Sequence, residues 1–158
     1  MSKARVLFLC GGNSCRSQMA EAFLRKHGGD RFEPYSAGLD ASEIHPLTLQ
    51  VMQEKGIDLL AEGHRSKTAD EFLGKLAVRY LVIVCDAAAQ KCPSVWPGAV
   101  ERLIWPFDDP PAFQGSDEAK LDKFREVRDA IEQKLTDWLA TVPATGHAGA
   151  SPSVEGPA

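Results

Sequence analysis

The stretch VLFLCGGNSCRSQMAEAFL, residues 6–24, runs from apolar residues into a cysteine, then a small polar loop, then a second apolar pattern. ARVLFL, residues 4–9, predicts a short buried strand. SQMAEAFLRKHGG, from Ser17, predicts a helix with Met19, Ala20, Phe23 and Leu24 on one face and Gly28 at its end. Between them lies the spacing C-x5-R, Cys10 to Arg16, followed by Ser17. Glycines let the backbone curl so that successive N–H groups point inward, an anion-binding nest that ends on a helix N-terminus. Arg16 adds a planar fork of donors for two oxygens of a tetrahedral oxyanion. The same positive surroundings favour the thiolate of Cys10, the nucleophilic form. Asn13 is placed to bridge the loop, and the Ser17 hydroxyl to donate to the thiolate or the leaving group. Gly11, Gly12, Ser14 and Cys15 complete the cradle, with Cys15 read as a structural thiol.

Outward from this stretch the pattern repeats. FEPYSAG predicts a second strand, and Pro46 to Lys55 a helix with Leu47, Val51 and Met52 inward and Gly56 ending it. YLVIVC, residues 80–85, is β-branched and apolar on both faces, as a central parallel strand requires, and ERLIW gives a weaker fourth strand. From about Asp117 to Thr141, Leu121, Phe124, Val127, Ile131, Leu135, Trp138 and Leu139 keep a three-and-four spacing that predicts a long helix packed on the sheet. Strands alternating with helices predict an α/β fold, a three-layer sandwich with a four-stranded, mainly parallel sheet. Sites in such sheets form at the carboxyl ends of strands, where Cys10 and Cys85 both fall.

The whole chain has 158 residues, 44% of them hydrophobic, enough for one domain with a proper core. That domain is expected over residues 1–142. PATGHAGASPSVEGPA, residues 143–158, has no periodic apolar positions and is expected to be a disordered tail. A formal net charge of −4 with no run of Lys or Arg argues against nucleic acid or an anionic membrane as partner. No apolar segment reaches membrane-spanning length, and MSKAR opens without a signal-peptide pattern, so a cytoplasmic and monomeric protein is expected. There, four cysteines read as reduced, catalytic or redox-active thiols. The four histidines show no metal-ligand spacing, and neither a metal nor another cofactor is expected.

CGGNSCRSQMAEAF, residues 10–23, resembles the phosphate-binding loop of the low-molecular-weight protein tyrosine phosphatases. It is more similar still to that of the thioredoxin-coupled arsenate reductases that share their fold. The resemblance continues in register through YSAG, KGID, VCDAAAQKCP, FDDP and FREVRDAIEQKL, over roughly residues 4–140. Both activities begin with a thiolate attacking a tetrahedral oxyanion, so the loop does not separate them. Cys85 and Cys92 do: ester hydrolysis needs no further thiol, whereas reducing arsenate consumes two electrons that dithiols supply.

The resemblance implies a relay through Cys10, Cys85 and Cys92, with arsenate as substrate, phosphate or sulfate as competing anions and thioredoxin as reductant; glutaredoxin- or mycothiol-linked relatives leave that donor open. It also implies Asp109, directly before proline, as general acid. Asp109 and Pro110 are followed by Pro111 and Ala112, which does not match the phosphatases' acidic-proline-aromatic-aromatic stretch. Phosphatase activity, and oxyanion capture without turnover, stay open as alternatives.

If DAAAQK is helical in the reduced chain, seven residues rise about 10 Å. A disulfide requires Cα atoms within about 7 Å, so the segment is expected to unwind on oxidation. Some related reductases hold a monovalent cation with side chains matching Asn13, Glu21 and Ser36 and an aspartate in the segment matching HRSKT, residues 64–68. Here Lys67 stands in that segment. It is read either as an ammonium replacing the ion by pairing with Glu21 or as a solvated charge.

Overall fold

The structure, a computed structural model, describes residues 3–40, 42–84 and 98–142. Its sheet has four strands: β1 (Ala4–Cys10), β2 (Phe32–Gly38), β3 (Val78–Ile83) and β4 (Ala99–Ile104). They lie in the order β2-β1-β3-β4, and each pairing is parallel. Val6, Leu7, Phe8 and Leu9 are fully buried, which means that the central strand β1 is covered on both faces. The edge strand β4 is mostly exposed, which is why its sequence pattern is weak.

Among the described residues three α-helices accompany the sheet: α1 (Arg16–Gly28), α2 (Pro46–Gln53) and α3 (Asp117–Thr141). On one face, α3 brings Trp138 against Phe32, Tyr80 and Trp105, with ring centroids 5.1, 5.1 and 5.7 Å away. On the other face, reached by alternate side chains of the same strands, Tyr35 meets Phe72 edge-on just past a 3-10 turn at Ala69–Glu71. The sheet is therefore the middle layer of an α/β sandwich, as the alternation of strands and helices predicts. α3 buries Phe124, Val127, Ile131 and Leu135 along the predicted stripe. Its N-terminus is capped by Ser116, whose hydroxyl accepts the Ala119 N–H.

Strand register sets the site. Cys10 is the last residue of β1, opposite Gly38 at the end of β2. On the other side Leu9 pairs with Ile83, and the Val84 N–H donates to Leu9 O at 3.0 Å. The predicted tail at 143–158 and the segment with Cys85, DAAAQK and Cys92 lie outside the described residues.

Candidate active site

Between β1 and α1 the chain curls through Gly11, Gly12, Asn13, Ser14 and Cys15, and neighbouring segments pin its carbonyls outward. Leu39 N donates to Cys10 O (3.0 Å), Asp40 N to Gly11 O (2.9 Å) and His45 N to Ser14 O (3.0 Å). Ser66 Oγ donates to Gly12 O (3.0 Å) and Gln18 Nε2 to Asn13 O (3.1 Å). In a trans peptide the C=O and the next N–H point in opposite directions, so five outward carbonyls turn the amides of residues 11 to 15 inward. Among these, Asn13 N already points at Cys10 Sγ, 3.3 Å away. The cradle expected from the glycines is thus built less by their flexibility than by acceptors held from outside.

Asn13 occupies the left-handed region, φ 52°, which asparagine tolerates better than most residues. Its Oδ1 accepts Lys67 N–H at 2.8 Å and Gln18 Nε2 at 2.9 Å. A backbone amide is a donor only, which fixes the side-chain amide: Nδ2 faces Ser17 Oγ at 2.8 Å and donates to it. The single Ser17 proton is then left to point at Cys10 Sγ, 2.8 Å away.

Behind this layer, Gln18 Oε1 accepts from His64 Nδ1 at 2.8 Å, and His64 Nε2 faces Arg25 at 3.1 Å. Burial holds the His64 imidazole below its ordinary range, and the neutral ring fits a chain in which Nδ1 donates and Nε2 accepts. Gln18, His64, Ser66 and Gly38 were not among the expected site residues. Gln18 reaches Asn13 from five residues on, but His64, Ser66 and Gly38 meet partners up to 54 residues away in sequence, where no local pattern marks them.

Arg16 is mostly buried. Its NH1 donates to Phe107 O at 3.0 Å and its NH2 lies 3.3 Å from Asp109 Oδ1. Asp109 sits ahead of a 3-10 turn at Pro110–Ala112, half exposed at the loop's mouth. Asp108 instead points to Lys123 at 2.8 Å, and that bond draws its carboxyl below the usual range. Of the two aspartates, Asp109 is the one brought to Arg16. Cys15 is buried, and desolvation pushes its thiol up to about 12, leaving it protonated at neutral pH.

The pairing of Lys67 with Glu21 is corrected. Lys67 Nζ donates to Arg65 O at 2.7 Å. Glu21 is taken by Arg25, one helical turn along α1, at 2.8 Å and by Ser36 Oγ at 2.5 Å, leaving its carboxylate already partnered. Burial lowers the proton affinity of Lys67, with Glu21 opposing from beyond contact range. Among the described residues, no three His, Cys, Asp or Glu side chains gather as a metal site, and no helix is long and apolar enough to cross a membrane.

Residues 5–148 match the low molecular weight phosphotyrosine protein phosphatase family. An arsenate reductase of Halalkalibacterium halodurans is 42% identical over 141 residues, spanning 89% of this chain and 99% of that one. Among solved structures, an arsenate reductase in its phosphate-binding state superposes with a TM-score of 0.72 at 28% identity, covering 89% of this chain and 99% of that one. The thioredoxin-dependent arsenate reductase of Corynebacterium glutamicum gives 0.66 at 28% identity, over 88% and 61% of the two chains. With its strand–cradle–helix geometry and these relatives, the chain belongs to the low molecular weight phosphotyrosine protein phosphatase family, on the side of its arsenate reductases.

Proposed function

We propose that the protein reduces arsenate to arsenite through Cys10, Cys85 and Cys92, with thioredoxin as the external dithiol. The observation that carries the first step is the Cys10 thiol. It is held by the Ser17 hydroxyl and the Asn13 amide, within a loop whose Arg16 is set against Phe107 O and Asp109. Arsenate seated there presents arsenic to Cys10 Sγ. The thiolate forms an S–As bond as an As–O bond breaks, and Asp109 gives its proton so that the oxygen leaves as water rather than hydroxide.

Cys85 Sγ next attacks Cys10 Sγ. The S–As electron pair stays with arsenic, which leaves as arsenite, and Cys10 and Cys85 are joined by a disulfide. Cys92 then displaces Cys10 from Cys85, and the dithiol of thioredoxin reduces the Cys85–Cys92 bond. In support, the Val84 N–H is bonded to Leu9 O, the carbonyl just before the nucleophile, and Cys85 is next in sequence. The named relatives favour reduction over ester cleavage, and so does the run Asp109-Pro110-Pro111-Ala112, which lacks the two aromatic residues of the phosphatase stretch.

Cys-to-Ser variants assayed with arsenate, thioredoxin and its reductase test this. Turnover is expected to vanish at Cys10, Cys85 and Cys92 and to survive at Cys15. Turnover retained without Cys92 overturns the relay, and efficient aryl phosphate hydrolysis with no arsenate-dependent thioredoxin oxidation overturns the reductase.

A further inference from the structure

Helix α2 begins on an unusual cap. Its N-cap is His45, in extended conformation, with Pro46 next, and His45 Nδ1 accepts the Leu47 N–H at 3.1 Å. Serine, threonine, aspartate and asparagine are the ordinary caps and keep their acceptor at neutral and mildly acidic pH. A histidine nitrogen accepts only while it carries no proton, so this bond requires the neutral ring with its hydrogen on Nε2. The ring lies tilted against Phe124 of α3, centroids 4.8 Å apart.

The same residue touches the cradle. His45 N–H donates to Ser14 O at 3.0 Å, and Thr48 Oγ1, in the first turn of α2, donates to that carbonyl at 3.2 Å. These two bonds turn the Ser14–Cys15 peptide so that its N–H faces inward.

We infer that His45 is a positioning residue for the reaction. As a neutral imidazole it holds the first turn of α2, and through it the Ser14–Cys15 peptide, so that the Cys15 amide faces the oxyanion; protonating the ring loosens that side of the cradle. The inference rests on reading the loop as an oxyanion cradle. Protonation also sets a cation against the positive end of α2, whose first turn carries no acidic residue. The charged group reaching the ring from α3 is Lys120, and on its own segment the nearest is Glu43, two residues away. Desolvation and Lys120 together hold the ring below its ordinary range. Because the folded value is depressed, the cap is fully present above the unfolded imidazole range and is lost as pH falls through the folded value.

The test uses the full chain with His45→Asn, which caps without titrating, and His45→Ala. Inorganic phosphate affinity, which needs no turnover, and arsenate kinetics are followed from about pH 7.5 down to about pH 5, on either side of the imidazole range. Amide spectra report Leu47 and the His45 ring.

At neutral pH, His45→Asn is expected within about twofold of the parent, while His45→Ala binds phosphate about tenfold more weakly, the size of one lost hydrogen bond. In acid, the parent weakens about tenfold relative to His45→Asn, in KM rather than kcat; the anion's own protonation cancels in that ratio. A ratio flat with pH, or a Leu47 amide that ignores the His45 titration, overturns the inference even if His45→Ala does not fold. If phosphate binding follows this pattern but arsenate is not reduced, the functional reading fails and the cap stands.

Discussion

The Lys67 amide donates to Asn13 Oδ1 at 2.8 Å, and this bond sets the direction of the side-chain hydrogen bonds that run from Asn13 through Ser17 to the nucleophile. With Oδ1 committed, Nδ2 must donate to Ser17, and Ser17 must spend its proton on Cys10. Asn13→Asp keeps the acceptor for Lys67 and removes the donor to Ser17. Its expected effect is about a tenfold fall in kcat/KM for arsenate, on the scale of one hydrogen bond, together with slower alkylation of Cys10 at neutral pH. Unchanged alkylation would mean that Ser17 points at the thiol without instruction from Asn13.

Asp109 and Asp108 are adjacent in sequence and opposite in surroundings, one against Arg16 and the other against Lys123. Loss of a general acid costs about 10²- to 10⁴-fold in the step it assists. Asp109→Asn is therefore expected to slow single-turnover arsenate reduction by about that range with little change in KM. Asp108→Asn should stay within a few-fold of the parent. Equal losses in both variants would place the effect in the loop's fold rather than in proton transfer.

The frame of this molecule was legible because its signals are local. Apolar runs mark β1 and β3, a three-and-four spacing marks α3, and a cysteine and an arginine six apart mark the turn between β1 and α1. What holds the turn open was not legible. Ser66, His45 and Gly38 act on the loop through single bonds or close approaches from segments distant in sequence, and each is an ordinary residue in its own neighbourhood. Of the two readings open for Lys67, the pairing with Glu21 fails for a related reason. The family resemblance offers Glu21 as its partner, but Arg25 at i+4 and Ser36 on β2 reach that carboxylate first.

Gly38 shows how tight the approach is. A Cβ built there would lie 2.6 Å from Asp40 O, 2.7 Å from Asn13 N and 2.8 Å from Gly11 O, all of them backbone atoms with little freedom to move. Gly38→Ala is expected to destabilise the fold by about 1–3 kcal/mol, the usual cost of overpacking. Phosphate affinity should also drop about tenfold in the fraction that folds, because the displaced atoms belong to the cradle. Denaturant unfolding and phosphate titration on the same sample separate the two effects; full affinity would show that the loop yields without losing its shape.

Far from the nucleophile, α2 and α3 are stitched together at Glu54. Its carboxylate takes Arg125 at 2.7 Å and Arg128 at 2.7 Å, while Arg128 also donates to Val51 O at 2.9 Å near the end of α2. The hydrogen bonds from Arg125, joined by those from Arg128, hold the Glu54 carboxyl down from 4.5 to about 2. A depressed carboxyl contributes stability that is fully present above its unfolded value and is lost as pH falls through the folded one. Glu54→Gln is therefore expected to melt below the parent at pH 7, with the gap in Tm closing as pH falls from about 4.5 toward about 2. Thermal unfolding of both proteins across that window checks the sign. A gap that persists unchanged at the acid end would mean that the arginines bind the side chain's shape and hydrogen-bonding oxygen rather than its charge.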